Sequence, residues 1–266
     1  MDAFVHPATL REMLAARAAL TLVDVRRDAA FARDPVVIPG ALRRRPEDVA
    51  MWGRALPTWR SVVVYCVHGH EVSCGAAQSL RELGLDAHAL DGGLEAWRAA
   101  GGSVAGYAPP SRWVTRERPK IDRLACPWFI RRFVDADAAI DYVPANRVLA
   151  HARETGATPF DVPDVEYTHV GERCSFDAFV AKHAPDDPAL AALADIVRAA
   201  DTDHLGDAPQ AAGLLAVSLG MGRLIADDDA LLDHALLVYD ALYAWCRGAR
   251  GERHGWDAAA LRRSTA

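Results

Sequence analysis

Cysteine is scarce in this chain and is never arranged in pairs. The five cysteines are odd in number and unevenly spaced, and no CxxC pair occurs among Cys66, Cys74, Cys126, Cys174 and Cys246. This pattern argues against a disulfide framework and against a cysteine-rich zinc module. We expect reduced thiols, each of which is either a core residue or a reactive group.

Long apolar runs and clusters of positive charge are also missing. No window of 18 apolar residues occurs, and the N-terminus begins with an acid and lacks a basic segment followed by a cleavage site. The net charge is −6, without a long Lys/Arg run. These absences predict a cytoplasmic protein without a nucleic-acid or membrane partner, acting on small molecules or proteins.

Apolar residues make up 51% of the 266 residues, enough to bury the cores of two domains. The first part of the chain alternates short β-branched runs with helical patterns. The predicted strands are 20–25, 61–66 and 87–90, and the predicted helices are 8–18, 73–84 and 94–102. The helix at 73–84 is expected to start on Ser73 as its N-cap. This order predicts an α/β domain with a parallel sheet flanked by helices.

Cys66 stands at the C-terminal end of the predicted strand 61–66, where α/β folds bind ligands. Gly69 permits a tight bend, and His68 and His70 add two imidazoles, so that backbone amides can converge on a thiolate. The alternative is a buried cysteine at a strand end with solvated histidines. The predicted anion-binding loop consists of Val67, His68, Gly69, His70, Glu71, Val72 and Ser73.

Several segments in this half, taken in order, resemble a single rhodanese domain covering residues 1–107. They are LVDVR at 22–26, IPGA at 38–41, VVVYC at 62–66, AAQSLRELG at 76–84 and LDGGLEAWRAAGGSV at 90–104. The resemblance implies a sulfurtransferase in which Cys66 takes sulfane sulfur from a thiosulfate-type small-molecule donor as a persulfide and passes it to a thiol acceptor. It also implies that Asp24 and Arg26 are scaffold residues near the site.

The loop departs from that family in its length. Six residues separate Cys66 from Ser73, one more than is usual in single-domain rhodaneses and closer to the phosphatase and arsenate reductase relatives. Those relatives close the loop with arginine, whereas this chain has Val72. A non-catalytic loop that binds or senses an oxyanion is therefore the alternative. Cys74 is either a resolving thiol for oxidised Cys66 or a packed helix residue.

Beyond residue 107 the sequence predicts a linker at 108–120, a second domain at 121–250 and a tail at 251–266. Helical patterns dominate the second domain, with a short strand at IDYVP and a helix that starts near Pro127. The expected class is a mostly helical α+β domain.

Carboxylates and an imidazole in the second domain suggest a divalent metal site of the zinc, iron or manganese type. The candidate ligands are Glu166, His169, Asp201 and Asp203. The alternative is a solvated helix end with a satisfied core histidine. Arg123 and Arg131 form either an anion site or ion pairs with Asp135 and Asp137.

The second half resembles the C-terminal domain of the chromate-resistance protein family, the ChrB-like group. The similar segments are 118–133, 159–176, 196–203, 208–214 and 239–248. The resemblance implies a link to chromate detoxification or its regulation and strengthens the metal hypothesis. Because the N-terminal module of the regulatory members is replaced here, no transcriptional role is implied. A metal-dependent enzyme centred on this domain is a third possibility.

Overall fold

The chain divides between Pro109 and Pro110 into two units, Met1–Pro109 and Pro110–Ala266. The computed structural model describes residues 3–16 and 19–252. The predicted tail at 251–266 therefore lies almost entirely outside the described residues. Each unit is described separately below.

The first unit is built around a parallel sheet. Its elements in chain order are β1 (Phe4–Val5), α1 (Pro7–Ala15), β2 (Leu20–Asp24), α2 (Asp28–Arg33), β3 (Val36–Val37), β4 (Leu42–Arg43), α3 (Val49–Trp52), β5 (Ser61–Tyr65), α4 (Glu71–Glu82), β6 (Ala87–Leu90), α5 (Gly93–Ala99) and β7 (Ala105–Gly106). The five-stranded sheet has the order β1-β6-β5-β2-β4, and all its pairings are parallel. Its two edge strands, β1 and β4, are two residues long.

Strands β2 and β5 lie inside this sheet, and both faces of each strand are covered. Every residue of β2 is buried, as is every residue of β5 after Ser61. Val62 and Val64 pack into one apolar cluster and Val63 into another. The β-branched runs of the sequence are therefore strands buried between two helical layers, which is the predicted α/β arrangement.

Helix α4 begins two residues earlier than its sequence indicates. Its N-cap is His70, whose side chain makes no capping hydrogen bond, and its first residue is Glu71. Ser73, the predicted N-cap, is fully buried inside the first turn. The predicted start was wrong because this serine contacts the loop before the helix instead of capping it.

The second unit combines a small parallel sheet with long helices. Its elements are β8 (Arg112–Arg116), α6 (Asp122–Phe129), β9 (Ala139–Val143), α7 (Val148–Thr155), β10 (Thr158–Pro159), α8 (Ser175–His183), α9 (Pro188–Asp201), α10 (Ala211–Leu224) and α11 (Asp228–Gly248). The sheet order is β10-β8-β9. Helices make up most of this unit, as the sequence predicts.

Two boundaries of the second unit differ from expectation. The predicted linker at 108–120 contains β8, the central strand of the sheet, whose Trp113 and Val114 are buried. The helix expected near Pro127 begins at Asp122, with Pro127 inside it, and continues as one π-helical segment at Ile130–Val134. Because Pro127 has no N–H, the carbonyl oxygen of Arg123 one turn earlier lacks its helical donor, and it accepts from the Tyr142 hydroxyl at 3.3 Å instead.

Aromatic side chains fill the core between α6, α8 and α11. Trp128 packs edge-on against Tyr243, and Phe129 packs against Phe176 and Phe179. Asp240 of α11 is buried in the same region, where it accepts a hydrogen bond of 2.7 Å from Trp128 Nε1. Arg132 donates two further bonds of 3.0 Å to this carboxylate. The charge at the core is thus paired and fully hydrogen-bonded.

Within residues 3–16 and 19–252, no helix has both the length and the apolar composition that crossing a bilayer requires.

Candidate functional site

Cys66 follows β5 directly and closes a short loop against the first turn of α4. The residue is 7% exposed, and its sulfur lies 3.2 Å from Ser73 Oγ. Ser73 is itself held by a contact of 3.3 Å to the carbonyl oxygen of His70. The two ends of the predicted anion-binding loop, Cys66 and Ser73, therefore meet at the sulfur atom.

Two glycines lock this loop against the start of α5. The backbone N–H groups of Leu94 and Glu95 donate to the carbonyl oxygens of Cys66 and Val67 at 2.9 and 3.1 Å. Gly69 and Gly93 face each other across this contact, with φ of +71° and +60°. A Cβ on either residue would lie 2.5–2.7 Å from backbone atoms of the other segment. Only glycine fits both the backbone conformation and the space.

The backbone of the loop has unused hydrogen-bond donors. Among the described residues, none of the N–H groups of residues 67–73 donates to a protein acceptor. His68 Nδ1 lies 3.1 Å from Glu95 Oε2, and both His68 and His70 are exposed. Free N–H groups at a helix start favour a negative charge. The loop can therefore stabilise an anionic sulfur with its backbone rather than with a fixed cation.

Asp24 and Arg26 form a buried ion pair on the neighbouring strand. Asp24 pairs with Tyr65 in the β2–β5 register, one residue before Cys66. The Arg26 Nε donates to both carboxylate oxygens, at 3.0 and 2.9 Å, and the two side chains are 1% and 0% exposed. Arg26 also donates to the backbone oxygens of Asp34 and Val36. The pair fixes the segment that follows β2.

We expect Arg26→Ala to destabilise the first unit by about 3–5 kcal/mol, because it leaves the Asp24 carboxylate buried without a partner. The neighbouring Arg27 is exposed, and Arg27→Ala is expected to change stability by less than about 0.5 kcal/mol. Urea unfolding of the full chain, with hydrogen exchange read in peptides from 20–26 and 61–66, measures both. Equal stabilities of the two variants would contradict a structural role for the pair.

Cys74 is half-buried on α4, and its sulfur donates to the carbonyl oxygen of Gly69 at 3.6 Å. Burial, together with the nearby charge of Cys66, raises the pKa of the Cys74 thiol. A thiol with a raised pKa is a poor nucleophile at neutral pH. Cys66 is thus the better placed of the two to react first.

In the second unit, three carboxylates converge on one imidazole nitrogen. His169 Nε2 lies 3.2 Å from Asp122 Oδ2, 3.3 Å from Asp161 Oδ1 and 3.4 Å from Asp201 Oδ2. Asp122 opens α6, Asp201 closes α9, and Asp161 follows β10. Asp122 and Asp161 are buried, whereas the His169 side chain is 41% exposed. We call Asp122, Asp161, His169 and Asp201 the acidic-imidazole cluster.

The charges of the acidic-imidazole cluster shift its proton equilibria. A hydrogen bond to Asp122, aided by the three negative charges, raises the pKa of His169 to about 9. Burial and the charge of Asp122 raise the pKa of Asp201 to about 7. The pKa of Asp161 is also raised by burial, although Arg116 and Arg123 lie 2.6 and 3.2 Å from its Oδ2. The cluster therefore favours cations strongly.

The structure brings together two of the four predicted metal ligands. His169 and Asp201 belong to the acidic-imidazole cluster, but Glu166 is exposed and ion-paired with Lys182. Asp203 lies beyond the end of α9 with φ of +60°, exposed and outside the cluster. Glu166 was a wrong choice because the EYTH segment forms neither a helical turn nor a strand that would align it with His169.

The sequence reasoning missed Asp122 and Asp161 as partners of His169. Asp161 stands between two apolar residues in PFDVP, and a charged residue in such a setting is a signal of a buried functional carboxylate. Asp122 stands beside Arg123 in KIDRLACPW and carries no comparable signal. The structure does not join Arg123 and Arg131 in one anion site, since Arg123 contacts Asp161 and Arg131 contacts Asp233. Asp135, one of the two acids that the alternative pairs with these arginines, accepts hydrogen bonds from the backbone N–H and the hydroxyl of Ser111.

Cys126 and Cys174 lie close to the acidic-imidazole cluster but are fully buried. Burial, followed by the negative charge of Asp122, raises the pKa of each thiol. They are packed core residues rather than reactive groups.

Comparison with known proteins assigns both units. The family model described as "ChrB, C-terminal domain" matches residues 113–246. The chain belongs to this family. A rhodanese-like domain model matches residues 6–100, so the first unit is a rhodanese-like domain. Protein ChrB of Cupriavidus metallidurans is 36% identical over 135 residues, which are 50% of this chain and 40% of that protein. The chain thus matches less than half the length of this relative.

Solved structures of rhodanese-like proteins match part of this chain. A rhodanese-related protein of Thermoplasma volcanium is 24% identical, with coverage of 39% of this chain and 98% of that chain and a TM-score of 0.35. The rhodanese-like domain of the Alr3790 protein of Anabaena is 30% identical, with coverage of 40% and 81% and a TM-score of 0.36.

Proposed function

We propose that the chain is a cytoplasmic sulfurtransferase whose rhodanese-like domain carries sulfur on Cys66, and whose ChrB C-terminal domain links it to chromate resistance. The observation that carries this proposal is the Cys66 loop with its unused backbone N–H groups. The chromate link rests on the family of the second unit alone.

The proposed reaction has two steps. The Cys66 thiolate attacks the sulfane sulfur of a thiosulfate-type donor, so that an S–S bond to Cys66 forms and the donor's own S–S bond breaks, releasing sulfite with its electron pair. A thiolate acceptor then attacks the outer sulfur, and the Cys66 thiolate leaves. The free N–H groups of residues 67–73 stabilise the negative charge of the thiolate and of the persulfide.

The loop would hold an anion with backbone groups and without a cation of its own. No residue from Val67 to Ser73 is an arginine or a lysine, and His68 is directed at Glu95. Glu71 adds a carboxylate at the helix start. A dianion such as thiosulfate would therefore be bound weakly, by the backbone N–H groups alone, without the fixed cation that usually holds such ligands. Weak binding suits a donor that passes on its outer sulfur and leaves as sulfite.

The test is sulfur transfer from thiosulfate to cyanide and to a thiol, with intact-mass detection of the persulfide on the full chain. We expect Cys66→Ser to reduce turnover by more than about 1,000-fold, since the covalent carrier is removed. Cys74→Ser is the matched control, and it is expected to keep turnover within about threefold because its thiol is hydrogen-bonded to Gly69 and has a raised pKa.

A wild-type chain that forms no persulfide and shows no turnover would refute the proposal and leave oxyanion binding as the function of the loop. Loss of turnover in Cys74→Ser with persulfide still formed on Cys66 would assign Cys74 a role as resolving thiol.

A further inference from the structure

The donor atoms of the acidic-imidazole cluster are spaced like the ligands of one ion. Asp122, His169 and Asp201 each offer one ligand atom, and these atoms lie within 4.8 Å of one another. Zinc-type ions bind imidazole nitrogen and carboxylate oxygen at about 2.0–2.2 Å, which places two ligands of the same ion about 3.0–3.4 Å apart. The distances from His169 Nε2 to Asp122 and Asp201, 3.2 and 3.4 Å, agree with this spacing.

Hydrogen bonding alone does not account for the burial of Asp122. Its carboxylate is 2% exposed, and among the described residues its one side-chain partner is His169. A histidine nitrogen carries a single N–H, which cannot serve Asp122, Asp161 and Asp201 at once. A buried carboxylate that shares one donor with two others requires a further positive group.

The surrounding side chains serve Asp161 but not the other two carboxylates. Arg116 and Arg123 both contact Asp161 Oδ2, and Ser175 Oγ donates to its Oδ1 at 3.0 Å. Asp122 and Asp201 instead both face the single Nε2 of His169. A divalent cation that displaces the proton from this nitrogen would contact all three groups at once.

We propose that Asp122, His169 and Asp201 bind a divalent metal ion of the zinc, manganese or ferrous iron type. A nitrogen ligand combined with carboxylate oxygens suits ions of this class. The 41% exposure of His169 gives the ion a path from solvent and leaves a coordination position for water or an anionic ligand. Asp161, held by its two arginines, places Oδ1 3.3 Å from His169 Nε2, beside these three residues. The site does not depend on the sulfur-transfer proposal.

The test is isothermal titration calorimetry of the full chain, stripped with a chelator, against ZnCl₂ and against MnCl₂. We expect the wild type to bind one equivalent of at least one ion. His169→Gln and Asp201→Asn are each expected to weaken binding by at least about tenfold, since loss even of groups supporting a ligand costs 10–100-fold. Circular dichroism of each variant checks that it remains folded, and the half-exposed His169 carries the test if Asp201→Asn does not fold.

His151→Gln is the matched control. His151 belongs to the same domain and lies 2.8 Å from a single carboxylate, that of Asp141, outside the acidic-imidazole cluster. The His151→Gln variant is expected to bind the metal ion with the affinity of the wild type. The proposal fails if the wild type binds neither ion at one equivalent, or if His169→Gln binds as tightly as His151→Gln. Because the readout is metal affinity, such a failure is distinct from a failure of sulfur transfer at Cys66.

Discussion

Gly93→Ala is expected to abolish sulfur transfer and to destabilise the rhodanese-like domain by about 2–5 kcal/mol. The added Cβ would lie 2.5 Å from the Cys66 carbonyl oxygen and from Gly69 N, and 2.7 Å from the Val67 carbonyl oxygen. These are backbone atoms, which cannot move aside as a flexible side chain can. Overpacking costs about 1–3 kcal/mol, and the left-handed backbone conformation adds about 1–2 kcal/mol.

Gly101→Ala measures the destabilisation that comes from the left-handed backbone conformation alone, without a steric clash of the added Cβ. Gly101 has a similar φ of +77°, but no heavy atom lies within 4 Å of a Cβ built on it. We expect a loss of about 1–2 kcal/mol and unchanged turnover. Urea unfolding with hydrogen exchange in residues 61–82 measures stability, and the thiosulfate assay measures function. Equal effects of the two variants would show that contact between α5 and the loop does not hold Cys66 in place.

Asp240→Ala is expected to destabilise the ChrB C-terminal domain by about 3–5 kcal/mol. The substitution leaves the guanidinium of Arg132 and the indole N–H of Trp128 without the carboxylate that both contact in the core. Breaking a buried pair by removing one partner costs this much because the remaining charge stays desolvated. Urea unfolding followed by hydrogen exchange in α6 and α11 measures the loss.

Asp233→Ala provides the control on the same helix and with the same type of partner. Asp233 contacts Arg131 at 3.2 Å, but its side chain is 72% exposed. An exposed ion pair contributes about 0–1 kcal/mol, so this variant should unfold close to the wild type. A loss in Asp233→Ala as large as that in Asp240→Ala would mean that burial does not determine the strength of these pairs.

The fold of the rhodanese-like domain was predictable because its signals are local. The β-branched runs of β2 and β5 are short, apolar and bounded by turn residues, and such runs become buried parallel strands. The start of α4 was misplaced because a serine is a common N-cap, and sequence does not show that Ser73 is buried against Cys66. The sequence predicts a linker at β8 because prolines and charged residues surround this strand of only five residues.

The two candidate sites also differ in how well the sequence predicts them. Cys66 and its loop are continuous in sequence, so that the end of one strand and the start of one helix define the site. The acidic-imidazole cluster instead joins side chains from the first turn of α6, the segment after β10 and the last turn of α9. Spacing along the chain does not predict such contacts, which is why Glu166 was chosen and Asp122 was not.

The shortness of β1 and β4 also bears on solubility at high concentration. A long, flat edge strand presents unpaired backbone groups to which another chain can add a strand, the usual first step of aggregation. Here each edge of the five-stranded sheet is only two residues long, whereas the longest strands, β2 and β5, lie inside it. The strongest β-forming segments of the folded domain are thus shielded from a second copy, and their exposure requires unfolding.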